Sequence, residues 1–166
     1  MKNVFLLFVA VSFLVIGACE KKVDITSENK AILNRVEMLW NTGNLAKIDD
    51  IFATDFVNHD PNAPDVNDLE GYKGLIVMTR RGIPDFHVTS EDIIAEGDKV
   101  VCRWTASGTH KGELFGIPPT GKKATWKGIS IYRFADGKII EAWWSKDMFS
   151  LLQQLGAIPP PGKDGD

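Results

Sequence analysis

The side chains in this sequence that could carry out chemistry are one aspartate and a few histidine and arginine residues on or beside strand-like runs. Asp147 follows the run 138–146, and strand alternation places its carboxyl on the same face as Glu141 and Trp143, provided that no bulge intervenes. Burial among aromatic rings can raise the pKa of a carboxyl toward neutrality, so that one group both accepts and donates a proton. Asp147 is therefore a candidate for an acid/base residue. The competing interpretation is that it caps a final helix beginning at Met148.

Three further polar residues are candidates for the same site, and each has a structural alternative. His59 ends a short strand-like run and could assist Asp147 in catalysis, or it could belong to a solvated turn. Arg103 carries a permanent charge within a strand pattern. It could bind a ligand carboxylate or enolate, or form a structural pair with Glu141 or Asp147. His110 stands where a strand enters a Gly/Pro loop, and we expect it at the rim of a pocket, in contact with ligand or simply solvated.

Trp126 and Trp143 are the aromatic candidates for the wall of a binding site. Strand alternation places Trp143 on the face of Asp147, so Trp144 is expected to point to the opposite side of the sheet. A pocket that combines aromatic rings with one or two ionisable groups suits an apolar ligand with few polar groups. A purely structural place in the core is the alternative for both tryptophans.

Composition excludes several classes of function. Of the 166 residues, 19 are basic and 22 are acidic, and no cluster of Lys and Arg indicates a nucleic-acid partner. No Cys/His spacing is typical of a zinc site, and no glycine-rich phosphate loop follows a strand. We therefore expect neither a metal nor an organic cofactor. Cys102 lies within a strand pattern and is expected to be a small buried apolar residue.

The first residues of the chain form a separate unit. The apolar run from Val4 to Ala18 has the length of a signal-peptide core and is short for a membrane-spanning helix. It ends at Cys19 in a pattern that resembles a bacterial lipobox. We expect residues 1–18 to be a lipoprotein signal peptide and 19–26 to be a lipidated cysteine and tether, which would anchor the protein in the cell envelope through lipid alone. An ordinary signal peptide or an uncleaved anchor is the alternative.

The rest of the chain has helical patterns first and strand patterns afterwards. The predicted early elements are a helix from Thr26 or Ser27 to Asn41, a shorter apolar helical face at 45–52, a strand at 56–59, a turn-rich loop at 60–64 and a helix from Asp68 to Met78. Four strands follow at 86–96, 99–110, 124–134 and 138–146. This order predicts one α+β domain over residues 27–157, and 158–166 read as a disordered tail.

The segment from residue 108 to 156 contains the loop FGIPPTGK followed by YRF-x-DGKIIE-x-W-x-x-x-D. This ordered pattern resembles the SnoaL-like polyketide cyclases, or ester cyclases, of the nuclear transport factor 2-like superfamily. The resemblance extends back to about Lys30. It implies a curved antiparallel sheet wrapped around N-terminal helices, forming a cone with an internal pocket. It also implies a homodimer formed through the outer face of the sheet, and an acid/base role for Asp147, the aspartate of the pattern.

The resemblance implies a cyclase-like enzyme that acts without cofactor on a small hydrophobic carbonyl compound. Aldol-type ring closure requires a base to remove a carbon-bound proton and an acid to protonate the new alkoxide. We therefore expect Asp147 and His59 to be catalytic. The substrate-binding residues would be Arg103, His110, Trp126 and Trp143. The alternatives are a noncatalytic, lipid-anchored module that binds a small hydrophobic ligand, or a scaffold whose cone is filled by its own side chains.

Overall fold

The computed structural model describes residues 25–159, so the predicted leader and most of the predicted tether and tail lie outside it. The described residues form three α-helices, one turn of 3₁₀ helix and five strands. In chain order these are α1 (Ile25–Thr42), the 3₁₀ turn (Ile48–Asp50), β1 (Phe52–His59), α2 (Leu69–Gly82), β2 (His87–Glu96), β3 (Lys99–Thr109), β4 (Lys123–Ala135), β5 (Lys138–Lys146) and α3 (Met148–Leu155). Within residues 25–159, no helix combines the length and apolar character needed to cross a membrane.

Local signals set the helix ends. The Asp68 side chain accepts a hydrogen bond of 2.8 Å from the backbone N–H of Gly71, which caps α2 as the sequence predicted. Gly156 adopts a left-handed conformation (φ 77°) and ends α3. The apolar face at 45–52 does not extend into a helix, because the chain turns once in 3₁₀ form and enters β1 at Phe52, earlier than predicted.

The five strands form one mixed sheet in the order β1-β5-β4-β3-β2. Strands β2 to β5 pair antiparallel, as predicted from their turns. Strand β1 adds to β5 in parallel, which the sequence pattern did not indicate. Helix α1 packs against β2 and β3, α2 against β1, and α3 against β4. The result is the predicted α+β architecture, with a curved sheet on one side of the core and helices on the other.

Bulges bend the sheet and change which side chains face the core. The register between β4 and β5 shifts between Arg133 and Phe134, so that Ile140 is the extra residue. Ile139 and Ala142, three residues apart, are therefore both fully buried. A second shift lies in β2 between Ser90 and Asp92. Beyond the bulge in β5, the even-numbered residues of that strand face inward.

Helix α1 covers the free edge of β2 through two side chains. Asn41 donates to the carbonyl of Val88 (2.9 Å) and accepts from its N–H (2.7 Å), while Oε2 of Glu37 accepts from the N–H of Ser90 (2.8 Å). Residues four apart on a helix are separated by about 6 Å along its axis, and residues two apart on a strand by about 6.6 Å. The two spacings match, so the pairing satisfies the exposed edge and fixes Glu37 against β2.

Candidate active site

A cavity of about 90 Å³ lies between the helices and the inner face of the sheet. Its walls are mostly aromatic and aliphatic, and the aromatic part comes from Trp40, Phe86, Trp104, Phe115, Trp126, Tyr132 and Trp144. The ionisable groups on the wall include Glu37, Asp60 and Lys146. An apolar enclosure with a few polar groups is typical of a small-molecule site.

Asp60 and Lys146 form an ion pair on the cavity wall. The Asp60 side chain is fully buried, the Lys146 side chain is 12% exposed, and Nζ of Lys146 directly contacts Oδ2 of Asp60. Oδ1 of Asp60 accepts from the backbone N–H of Asn62 at 3.0 Å. Asp60 follows the last residue of β1 and Lys146 ends β5. Because β1 and β5 run parallel, their carboxyl ends meet at the same edge of the sheet.

The pair acts on buried groups around it. Burial raises the pKa of Tyr72 far above its usual value, and the negative charge of Asp60 adds to that rise. Tyr72 therefore stays neutral, and its hydroxyl accepts a hydrogen bond of 2.8 Å from Nε1 of Trp40. Nζ of Lys146 lies 5.8 Å from the ring centroid of Trp144, close enough for a cation–π interaction.

Hydrogen bonds hold several of the aromatic rings in place. Nε1 of Trp144 donates to Oδ1 of Asn58, and Nε1 of Trp104 donates to the hydroxyl of Ser130, both at 2.8 Å. Trp126 lines the cavity, as predicted for a ligand-contacting residue. The wall is therefore preorganised, so that a ligand would meet rings whose orientation is already set.

Asp147 lies outside the residues that line the cavity. Its carboxylate accepts a hydrogen bond of 2.9 Å from the backbone N–H of Ser150, so it is the N-cap of α3, and it is exposed to solvent. This is the structural alternative that the sequence left open. The catalytic role of Asp147 stays a prediction. At this end of β5, the side chain that faces the cavity is that of Lys146.

His59 and Trp143 lie together on the outer face of the sheet. Their rings stack with centroids 5.0 Å apart and an interplanar angle of 9°, and Nε2 of His59 is 3.4 Å from Oε1 of Glu141. The expectation that Trp143 lines the pocket and Trp144 points outward is wrong. The extra residue in β5 reverses the alternation, so Trp144 lines the cavity and Trp143 does not.

Arg103 and His110 do not line the cavity either. Arg103 pairs with neither Glu141 nor Asp147; it is 48% exposed and bonded to Asp92, with Nη2 2.6 Å from Oδ2. His110 is fully buried, not at the rim. Its Nδ1 accepts from the N–H of Thr120 at 3.3 Å, which places the ring proton of the neutral form on Nε2. Among the described residues, Nε2 has no hydrogen-bond partner.

Comparison with known proteins assigns the family. The model of the SnoaL-like polyketide cyclase family matches residues 30–155. The chain belongs to the SnoaL-like polyketide cyclase family. It is 24% identical over 139 residues to the aklanonic acid methyl ester cyclase DnrD of Streptomyces peucetius, covering 81% of this chain and 94% of that protein. It is 26% identical over 134 residues to the cyclase AcmA of Streptomyces galilaeus, covering 78% and 92%.

Solved structures agree with this assignment. AclR of Streptomyces galilaeus, described as a candidate hydroxylase, superimposes with a TM-score of 0.73 at 31% identity, covering 83% of this chain and 87% of that one. TsrD of Streptomyces laurentii superimposes with the same TM-score at 28% identity, covering 80% and 97%. The predicted family and cone fold are confirmed.

The sequence did not identify the ion pair as the polar centre of this SnoaL-like cavity. The sequence places Asp60 in a turn-rich loop, and Lys146 is not among the candidate site residues. One signal was available, because a carboxylate immediately after a strand lies at a sheet edge, where ligands often bind. The inward position of Lys146 can be predicted only if the bulge in β5 is known, and that bulge arises from the pairing of β5 with β4.

In the part of the chain that the structure describes, no group of three or more His, Cys, Asp and Glu residues is arranged to hold a metal ion.

Proposed function

We propose that this protein is a cyclase-like enzyme that acts without cofactor on a small hydrophobic carbonyl compound by acid/base catalysis. The observation that carries the proposal is the Asp60–Lys146 ion pair on the wall of an aromatic cavity. A carboxylate can accept a carbon-bound proton, and an adjacent ammonium can stabilise the developing oxyanion. The apolar surroundings strengthen both effects.

The reaction would be an aldol-type ring closure. Asp60 removes a proton from the carbon next to a carbonyl, and the ammonium of Lys146 stabilises the enolate oxygen. The enolate carbon then forms a bond with a second carbonyl carbon, whose oxygen becomes an alkoxide. Lys146 protonates the alkoxide, and Asp60 returns its proton to Lys146. The net change is an isomerisation, so no co-reactant is required.

The family supports this class of reaction but leaves the substrate open. DnrD and AcmA are cyclases of aklanonic acid methyl ester, and this chain is only 24–26% identical to them. We propose cyclisation or related proton transfer, and we do not assign aklanonic acid methyl ester to this protein as its substrate.

Proton abstraction can be tested with a simple aromatic ketone. We expect the protein to accelerate deuterium uptake at the carbon next to the carbonyl of 1-tetralone, measured by NMR. Asp60→Asn should reduce the acceleration by about 100-fold or more. The Asp60→Asn/Lys146→Met double variant should do the same without leaving a lone buried charge. Asp147→Asn is the matched control, because asparagine is an equally good helix cap.

The outcomes separate three interpretations. Loss of exchange in Asp147→Asn, with Asp60→Asn unaffected, would return the acid/base role to Asp147. Binding of the ketone without any exchange would favour the noncatalytic binding module. That alternative is supported by one observation: the aspartate of the family pattern caps α3 and lies outside the cavity lining.

We also propose that the protein forms a homodimer through the outer face of the sheet. A row of side chains crosses all five strands in register, from His59 through Trp143, Ile131 and Val101 to Ile94. Ile94 is 66% exposed and Ile131 is 37% exposed. Apolar groups that are contiguous on a surface favour association. Ile131→Glu should convert a dimer to a monomer in light-scattering chromatography, and a wild-type monomer would refute the proposal.

A lipid anchor at Cys19 is proposed from the sequence alone, because this residue lies outside the described structure. The support is the apolar run that ends directly before it. Expression in a bacterial host with labelled palmitate should label the wild type and not Cys19→Ser. Label in both proteins, or in neither, would contradict the proposal.

A further inference from the structure

A second carboxylate lines the cavity, on the helix that covers the edge of β2. Glu37 lies one helical turn before Trp40, and both residues contribute to the cavity wall. The N–H of Ser90 binds Oε2 of Glu37 and holds the side chain in place. Among residues 25–159, Oε1 has no hydrogen-bond partner, so half of this carboxylate is available to a ligand.

The charges on the wall do not balance. Of the described residues that line the cavity, Lys146 is the one base, and Asp60 already neutralises it. The nearby Arg103 is bonded to Asp92 and is absent from the lining. Glu37 therefore leaves the cavity with one excess negative charge. Burial is the main reason that the pKa of the Cys102 thiol is raised, and the charge of Glu37 adds to that effect.

Aromatic rings form a continuous surface beside Glu37. The ring of Trp40 lies 5.7 Å from that of Phe86, and Phe86 lies 5.9 Å from Trp126, measured between centroids. All three rings line the cavity. The face of an aromatic ring attracts a cation, and tryptophan does so most strongly. A carboxylate next to such rings provides the charge and the surface that together recognise an ammonium group.

We infer that the ligand of this cavity carries a protonated amine or quaternary ammonium group, which binds between Glu37 and the rings of Trp40, Phe86 and Trp126. The inference rests on the proposed function, because it assigns the carbonyl of the same ligand to the Asp60–Lys146 pair. The substrate class becomes a hydrophobic carbonyl compound with a basic nitrogen. The uncompensated carboxylate disfavours anionic ligands.

A matched pair of probes isolates the charge. Phenacyltrimethylammonium and 3,3-dimethyl-1-phenylbutan-1-one have the same shape and carbonyl, and differ in a quaternary nitrogen against a quaternary carbon. Calorimetric titration of the intact protein should show the cation binding about tenfold or more tightly than the neutral ketone. Phenacyl sulfonate, the anionic analogue, should bind more weakly than either. Equal affinity for the cation and the neutral ketone would overturn the inference.

Two variants test whether Glu37 and Trp126 cause the preference for the cation. Glu37→Gln keeps an acceptor for the N–H of Ser90 and removes the charge, so it should abolish most of the cation preference while leaving the affinity for the neutral ketone unchanged. Trp126→Leu should reduce the preference severalfold and serves if Glu37→Gln unfolds. Glu113→Gln, on an exposed part of the chain, is the control. An unchanged preference in both cavity variants would refute the site.

Failure of this inference differs from failure of the proposed function. The inference is measured by the binding of the cation against the neutral ketone, and the proposed function by deuterium exchange on 1-tetralone, both in the wild-type protein. A protein that prefers the cation but catalyses no exchange would keep the ammonium site and lose the enzymatic proposal. Exchange without cation preference would keep the enzymatic proposal and remove the ammonium site.

Discussion

At the scale of single residues, the site depends on a lysine and an aspartate that each require the other. A fully buried carboxylate is costly unless it is paired and hydrogen-bonded, and Asp60 has both Lys146 and the N–H of Asn62. Removing either partner alone leaves a buried charge, which typically destabilises a protein by about 3–5 kcal/mol. The pair therefore matters for folding as well as for the proposed chemistry, and stability must be measured alongside activity.

Asp147 provides a residue-scale prediction about stability. Its carboxylate caps α3 through the N–H of Ser150, so Asp147→Ala should lower the free energy of unfolding by about 1 kcal/mol, while Asp147→Asn should change it little. Urea denaturation at neutral pH measures both. A loss of similar size in the two variants would show that the charge matters here, not the cap.

At the scale of elements, the features of this fold that depend on neighbouring residues could be predicted, and those that depend on strand pairing over long distances in the chain could not. The cap at Asp68 and the four antiparallel strands could be predicted from neighbouring residues. The bulge at Ile140 and the parallel addition of β1 depend on partners far away in the chain. Those two features decide which side of β5 faces the cavity. The family and fold were therefore predictable, and the inward residues of β5 were not.

The side-chain pairing of α1 with β2 yields an element-scale prediction. Asn41→Ala removes both hydrogen bonds to Val88 and leaves an edge of the sheet uncovered, so it should cost about 1–3 kcal/mol. Hydrogen exchange should speed up most at the Val88 amide. Thr42→Ala, next along the chain, removes two bonds at the exposed end of the helix, one to the carbonyl of Met38 and one from the N–H of Asn44, and is the control. Equal effects of the two variants would contradict this role for Asn41.

At the scale of the whole molecule, the buried tyrosines predict how stability responds to alkali. Burial raises the pKa values of Tyr72 and Tyr132 above their usual value of about 10. A raised pKa in the folded state means that folding opposes ionisation. The stability is fully present below about pH 10 and is lost as the pH rises from there toward the folded-state values.

The denaturation midpoint, measured between pH 8 and 11, should therefore fall steeply above about pH 10. Tyrosinate absorbance should rise over the same pH range. Tyr132→Phe should make that fall less steep, because one of the two buried hydroxyls no longer ionises. An unchanged slope in Tyr132→Phe would show that other groups cause the loss.

The parallel pairing of β1 and β5 also has a consequence for the order of events during folding. The first and the last strand of the sequence are neighbours, so the sheet is complete only when almost the whole domain has come together. Contacts this distant in the chain form late, because the intervening loop must first lose its freedom. The ion pair between Asp60 and Lys146 can form only when β5 pairs with β1. The wall of the cavity is therefore completed in the same step as the sheet.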